Sequence, residues 1–463
     1  MTDTLFDPAV DARRARRQRV ATPPSPAPRP WLAKLAAGAA VGGLVAVVAL
    51  GISTETGSEL SLPGGVTTFI GSLTGLAGMY LALVMVVVVA RIPPLERILG
   101  QDGMLRWHRW LSPWPLSLIA AHAVFVTVGY AQAAHSGMLH ELGALIAHYP
   151  DMLAATVALA VMVAIGIVSI RALRQRLRRE TWWVLHLYMY LALALSFAHV
   201  IALGPAFVGH PLTRVVWSVV WAATAGLVLV YRFGLPLVRS VRHQLRVVEV
   251  HREAPGVVSV VMAGRQVERL AVSGGQFIAW RFLTRGLWWQ AHPYSLSALP
   301  QPPYLRITVK QVGDHSAAVA RLKRGTRVAI EGPYGNVTRH ARTNKKVVLV
   351  AGGIGVTALR SLLEDLPKGT DPVVVMRASS EHQLVLRDEM AELVRHRKGT
   401  MHELVGSRQQ VALTGRRLLE LVPDLAERDL YACGPPGMVE DVVAAAKSAG
   451  VPQHAIHHEI FSW

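Results

Sequence analysis

The sequence predicts a multi-domain membrane protein: a six-helix transmembrane bundle, then an antiparallel β-barrel, then an α/β domain built on a parallel sheet. Composition is the first reason: the 463-residue chain is 52% hydrophobic and only 17% charged, and its mean hydropathy is +0.34, too apolar for an ordinary soluble protein and too long for one domain. The second is the presence of six stretches with few charges, at about 31–53, 67–90, 109–134, 151–170, 181–203 and 213–233, each long enough to cross a hydrocarbon core of about 30 Å. The third is a change of pattern near residue 243, where short β-rich runs punctuated by glycine and proline replace the apolar stretches.

The first 30 residues are basic (Arg13, Arg14, Arg16, Arg17) and then proline-rich (Pro23, Pro24, Pro26), which predicts a disordered tail over 1–30 rather than a cleaved signal peptide. Among the connections, those at 54–66, 135–150 and 204–212 contain no Lys or Arg. Those after the second, fourth and sixth stretches carry Arg91, Arg97, Arg106 and Arg109, then Arg171, Arg174, Arg176, Arg178 and Arg179, then Arg232, Arg239, Arg242 and Arg246. Positive charge is retained on the cytosolic side, so the expectation is a multi-pass protein of the cell (inner or plasma) membrane with both termini cytosolic. The formal charge of +18 is thus a topology signal, and no nucleic-acid partner is expected; the membrane lipid is the partner that composition demands. The single cysteine, Cys433, excludes an internal disulfide, a cysteine-ligated iron–sulfur cluster and a covalent CxxCH haem.

In the C-terminal half, runs such as 245–250 and 305–310 read as strands of an antiparallel barrel over about 240–340. From 345 to the end, strand Lys346–Ala351, a glycine turn, helix Thr357–Leu366, strand Pro372–Arg377, helix Arg387–Arg395 and strand Asp429–Ala432 alternate. Alternation of this kind predicts a parallel nucleotide-binding domain.

Within the membrane stretches, His108 and His122 lie 14 residues apart on the third, and His186 and His199 lie 13 apart on the fifth. Either spacing is roughly 20 Å along a helix, and the two helices run the same way. His108 is therefore expected to face His186, and His122 to face His199, each pair offering two neutral imidazoles to one iron. A lone histidine would be an interfacial polar residue; two matched pairs at matched depths, in a medium where ionisable groups are costly, point to function. At 100° per residue the pair on the fifth helix is rotated by roughly 140°, so that helix is expected to tilt or distort.

The paired histidines of a six-helix unit (31–235) resemble the ferric reductase and NADPH oxidase superfamily, of which the chain would be a bacterial member. That resemblance implies two stacked b-type haems in the bundle, and a ferredoxin-NADP reductase-type module binding FAD and NADPH behind it. Gly275-Gln276-Phe277 followed by His292-Pro293-Tyr294-Ser295 is similar to the family's flavin motif. It implies that Tyr294 packs on the flavin, that Ser295 hydrogen-bonds near the atom where hydride arrives, and that His292 contacts flavin or pyrophosphate. Val309-Lys310 and His315-Ser316 resemble the segment approaching the cofactor phosphates, and Gly332-Pro333-Tyr334-Gly335 the turn closing the domain; a surface lysine is an equal reading of Lys310. Gly352-Gly353-Ile354-Gly355-Val356-Thr357, opening a helix after a strand, suits a pyrophosphate at a helix N-terminus. Cys433-Gly434-Pro435 resembles the loop flanking the nicotinamide, where Cys433 would make contact without nucleophilic chemistry. The terminal aromatic, Trp463 or else Phe461, resembles the residue that covers the flavin face. Arg377 and Ser379 stand where an acidic residue would bind a ribose hydroxyl, which favours NADPH, with NADH possible.

This set implies electron flow from NADPH to FAD, to an inner haem (His108/His186), to an outer haem (His122/His199), and out to an acceptor. Oxidases of the superfamily that release superoxide carry an arginine near the outer haem on the second helix; here Phe69–Leu76 contains none. A ferric iron or metal-chelate acceptor is therefore preferred to oxygen, with a periplasmic or membrane redox protein as a third possibility. His135, His140, Glu141, His148 and His210 in the outer connections would either bind a metal loosely or be solvated. A haem-binding scaffold with a degenerate reductase domain is the non-enzyme alternative, and the sequence specifies no partner subunit.

Overall fold

The computed structural model describes residues 30–54 and 57–461; the basic tail and Trp463 lie outside them. The described residues of Arg29–Arg232 form one compact unit and those of Phe233–Trp463 another.

Among the described residues six helices are long and apolar enough to cross a membrane: Trp31–Ser53, Gly65–Val89, Gly103–Ala133, Met152–Ser169, Glu180–Leu203 and Pro211–His243. Large apolar side chains on them, such as Leu35, Val45, Leu153, Val215 and Val219, face outward, as a lipid solvent requires and water would not tolerate in such number. Met79, Leu83, Met162, Leu193 and Trp217 form the interior. The third helix starts before residue 109 because its first turns, Gln101–Leu111, are amphipathic and charged, which hides them from a hydropathy reading. Helical dihedrals continue through Ser112 (φ −56°, ψ −32°) into Pro113–Ala133, but Pro113 and Pro115 have no N–H to donate, so the hydrogen-bond ladder is interrupted there. The sixth also outruns its expected end at 233, through a π-helical stretch, Leu229–Gly234. The second and third helices approach closely because small residues face their neighbour: a Cβ on Gly71 would lie 2.9 Å from the backbone N of Val126, and one on Gly129 2.8 Å from that of Thr68.

The second unit starts with α1 (Leu235–His243), which caps the edge strand of a barrel: Ser240 Oγ accepts from the backbone N–H of Ile330, 3.1 Å, and Arg239 donates to the Gly332 carbonyl. The barrel consists of two antiparallel sheets, β1 (Arg246–Ala254), β2 (Val257–Ala263) and β5 (Tyr304–Lys310) in order β1-β2-β5, and β3 (Phe277–Phe282), β4 (His292–Ser295) and β6 (Val328–Tyr334) in order β4-β3-β6. Ile278, Trp280, Phe282, Leu305 and Ile307 fill it. The α/β domain is a five-stranded parallel sheet in the order β11-β10-β7-β8-β9, from β7 (Lys346–Gly352), β8 (Pro372–Ala378), β9 (Thr400–Val405), β10 (Arg428–Gly434) and β11 (Ile456–Ile460). Residues Val347 to Val350 are all fully buried, the continuous apolar run of a strand covered on both faces; helices α2 (Val356–Asp365), α3 (Arg387–His396) and α4 (Pro436–Ser448) supply the cover.

Barrel and α/β domain are joined by polar contacts at α2 and α3. Gly275 N–H donates to Ser361 Oγ (3.0 Å) and Gly274 N–H to Asp365 (3.1 Å). The buried Arg306 of β5 makes paired bonds of 2.8 and 2.7 Å to Glu389, which Arg360 also approaches at 2.9 Å.

Candidate functional site

In the membrane unit the two histidine pairs meet. The rings of His108 and His186 have centroids 6.0 Å apart and planes at 85°; those of His122 and His199 are 6.2 Å apart at 66°. Two metal–nitrogen bonds of about 2.0 Å, plus the distance from each ring nitrogen to its centre, separate imidazoles on opposite sides of one ion by roughly 6 Å. The residues therefore fit one iron between each pair. Nδ1 of His108, His186 and His199 is buried without a hydrogen-bond partner, a cost that calls for an explanation. His122 differs, because its Nδ1 lies 2.8 Å from the Gly71 carbonyl; a carbonyl only accepts, so Nδ1 carries the proton and Nε2 keeps the lone pair a metal needs. The fifth helix is continuous over Arg179–Leu203, so His186 and His199 reach their partners without a break in that helix.

Trp182 stacks on the His186 ring at 5.1 Å, with the Arg174 guanidinium 4.4 Å above the indole. The sequence reading missed this group, as it missed Gly71. Among the described residues no group of three or more His, Cys, Asp or Glu is arranged to hold a metal. Of the histidines and the acid in the arginine-free connections, Glu141 accepts from Ser136 (2.9 Å) and His148 Nδ1 meets the Ala144 carbonyl (2.9 Å).

In the barrel, β4 carries the flavin-motif residues. His292 stacks on His315, Tyr294 lies in the barrel core with its hydroxyl 3.2 Å from His315 Nδ1, and Pro293 is exposed. Burial raises the Tyr294 phenol above its ordinary value, keeping it a neutral donor. Ser295 is buried with Oγ unpartnered, which fits a hydroxyl awaiting a ligand atom. Val309 is in the core and Lys310 ends β5, half-buried. The Ser316 hydroxyl is taken up locally: it accepts from the N–H groups of Val312 (2.9 Å) and Gly313 (3.0 Å) and donates to the Gly313 carbonyl. Gly335 has φ +97°, and a Cβ there would lie 3.3 Å from the Phe277 ring and 3.4 Å from Glu459 Oε1.

In the α/β domain the glycine turn after β7 and the loop after β10 lie side by side where the strand order reverses, the usual ligand crevice of such sheets. A Cβ on Gly355 would come within 2.2 Å of the Cys433 carbonyl oxygen, one on Gly352 within 2.3 Å of Met438 Sδ and 3.1 Å of Pro435, and one on Gly434 within 3.1 Å of the Gly352 Cα. Gly353 has φ +52° and open space beside it. Thr357 Oγ1 bonds the Ile354 carbonyl, 2.9 Å, and so closes the first turn of α2 behind Val356, which is fully buried. Cys433 is fully buried, and burial, then the neighbouring Glu459, pushes its thiol well above the ordinary range, so it is a neutral thiol. β11 runs parallel to β10, opposing Cys433 and Glu459, and Phe461 N–H donates to the Gly434 carbonyl, 3.0 Å. Glu459 thus stands between Cys433 and Gly335, a position the sequence reading did not assign. At the end of β8, Arg377 donates to the carbonyls of Ala378 and Leu404, and Ser379 is exposed.

Comparison with known proteins gives three family models in order: "Ferric reductase like transmembrane component" over 74–197, "FAD-binding domain" over 244–338 and "Oxidoreductase NAD-binding domain" over 349–444. Together with the six helices, the first makes the chain a multi-pass membrane protein. Relatives include a flavohemoprotein of Bordetella pertussis, 29% identical over 196 residues (37% of this chain, 48% of the relative). A NADPH oxidoreductase of Mycobacterium tuberculosis is 29% identical over 199 residues (41% and 52%). The chain spans about half the length of these curated relatives. Among solved structures, the FAD/NAD-binding domain of a nitric oxide dioxygenase from Vibrio cholerae aligns at 24% identity and TM-score 0.39, covering 47% of this chain and 98% of that one. A Malassezia yamatoensis flavohemoglobin aligns at 17% and 0.43, covering 85% and 99%.

Proposed function

Because the chain carries the transmembrane, FAD-binding and NAD-binding architecture of the ferric reductase and NADPH oxidase superfamily, we propose that it is a membrane flavocytochrome that moves electrons from cytosolic NADPH to an acceptor at the outer face. The observation that carries this reading is the two facing imidazole pairs, with centroids 6.0 and 6.2 Å apart, a separation that suits two bis-histidine haems. When bound, the flavin takes a hydride and gives electrons up singly, and b-type haems relay single electrons.

The chain's own residues bind, orient and shield. The glycine turn and the Cys433-Gly434-Pro435 loop border the crevice for a dinucleotide. Ser295 offers a desolvated hydroxyl, and the neutral Cys433 thiol places small apolar bulk without charge. Glu459 supplies the acidic group between the two lobes. The proton on His122 Nδ1 is held by the Gly71 carbonyl. Arg377 and Ser379 favour the 2′-phosphate of NADPH. For the acceptor, the absence of arginine in Phe69–Leu76 removes a fixed positive charge that would stabilise developing superoxide, so a ferric chelate is preferred to oxygen.

Right-side-out vesicles loaded with NADPH test the reading. Reduction of an impermeant ferric chelate outside is expected, faster than dismutase-sensitive reduction of cytochrome c. Reduction only on the NADPH side would overturn the transmembrane path, and a dismutase-sensitive signal accounting for most of the flux would overturn the acceptor.

A further inference from the structure

The stretch of the second helix that lacks the arginine is not blank. Gly71 and Gly75 lie against the His122 ring: Gly71 supplies the carbonyl that takes Nδ1–H at 2.8 Å, and Gly75 supplies room, since a Cβ there would lie 2.5 Å from Nδ1 and 2.8 Å from Cγ of the ring. Thr74 Oγ1 shares its one proton between the Ile70 carbonyl and the same Gly71 carbonyl, each at 2.9 Å. That oxygen therefore serves the imidazole and, in part, the hydroxyl, and whatever share the hydroxyl takes weakens what the imidazole receives. Of the four facing histidines, the other three have a buried Nδ1 with no partner.

We infer that Gly71, Thr74 and Gly75 are positioning residues for His122, fixing its tautomer and orientation and setting the electron density it gives a haem iron. The inference rests on the bis-histidine reading above. An imidazole whose Nδ1–H is held by a carbonyl is a more basic ligand, and a more basic ligand favours the oxidised iron. Loss of this bond should therefore raise the reduction potential of one haem and leave the other unmoved.

Four full-length proteins in detergent or nanodiscs decide it by redox titration of the haem bands: wild type, His199→Ala, Gly75→Ala and Thr74→Val. The wild type should show two b-type haems, and His199→Ala identifies the outer one by its loss. In Gly75→Ala the added methyl displaces the ring from the Gly71 carbonyl. One hydrogen bond contributes about 0.5–1.5 kcal/mol, so the outer haem should become about two- to tenfold easier to reduce at fixed potential, tenfold being 59 mV for one electron. Thr74→Val keeps the shape, frees the carbonyl for the imidazole, and should shift the same haem the opposite way. Opposite shifts confined to the outer haem support the inference. Equal shifts in both haems, no shift in either variant, or loss of both haems from Gly75→Ala with no shift in Thr74→Val would overturn it, leaving only a helix-packing role. A wild type without haem would instead overturn the bis-histidine reading itself.

Discussion

Replacing Gly355 by alanine isolates the apposition of the two loops at the nucleotide crevice. Gly355 has φ −59° and ψ −16°, a conformation alanine adopts freely, so the substitution brings no backbone strain. Its methyl, however, would sit 2.2 Å from the Cys433 carbonyl oxygen and 2.5 Å from the carbonyl carbon. Restoring contact distance requires the loop after β10 to move by about 1 Å away from the glycine turn, at an overpacking cost of about 1–3 kcal/mol. A misplacement of about 1 Å between reacting partners lowers rates by about 100-fold. The assay is anaerobic stopped-flow bleaching of the bound flavin by NADPH in the full-length protein, beside the melting temperature. Gly355→Ala should slow bleaching by one to two orders of magnitude while flavin stays bound. Gly353→Ala is the control: its Cβ enters open space but at φ +52°, which costs about 1–2 kcal/mol of backbone strain without pushing on Cys433. Wild-type bleaching in Gly355→Ala would refute the close packing of the two loops.

Ser295→Ala should leave thermal stability unchanged or slightly higher, since it removes a buried hydroxyl without a partner, yet slow flavin reduction by about 100-fold, the loss typical of one catalytic donor; an unchanged rate would exclude Ser295 from the reaction. Arg306→Leu should cost about 3–5 kcal/mol, read as earlier flavin release on heating, because it strips Glu389 of two bonds at the barrel seam; a melting temperature within error of wild type would show that Arg360 suffices alone. His251 is raised above its ordinary 6.5, first by its hydrogen bond to Glu253, which outweighs burial. Its stabilisation is therefore complete below about pH 6.5 and fades as pH rises through the raised folded value. For this half-exposed pair the loss should be under about 1 kcal/mol, and His251→Gln should flatten the fall of melting temperature above pH 6.5; an unaltered slope would assign that fall to other groups.

Much of this protein is determined by residue order alone. Lipid admits only segments that satisfy their backbone internally, so the six apolar stretches had to be helices. The alternation after Asn344 had to give a parallel sheet, because crossover helices cover both faces of its strands. Boundaries failed where local chemistry contradicted a helix's role: Gln101–Leu111 is charged and amphipathic, so the apolar stretch was bounded at 109, just past His108, although His108 was assigned to the third helix. Strands β9 and β11 escaped notice because Thr400–Val405 and Ile456–Ile460 interrupt their apolar residues with His and Glu at the sheet edges. Matched spacing paired the four histidines, but spacing carries no information about neighbours from other helices. Only the fold brought the Gly71 carbonyl to His122, Trp182 and Arg174 to His186, and Glu459 between Cys433 and Gly335. The Gly71 and Glu459 contacts join residues whose separation along the chain says nothing of their distance in space, whereas Trp182 lies one helical turn before His186 and went unread because a stacked ring has no motif of its own.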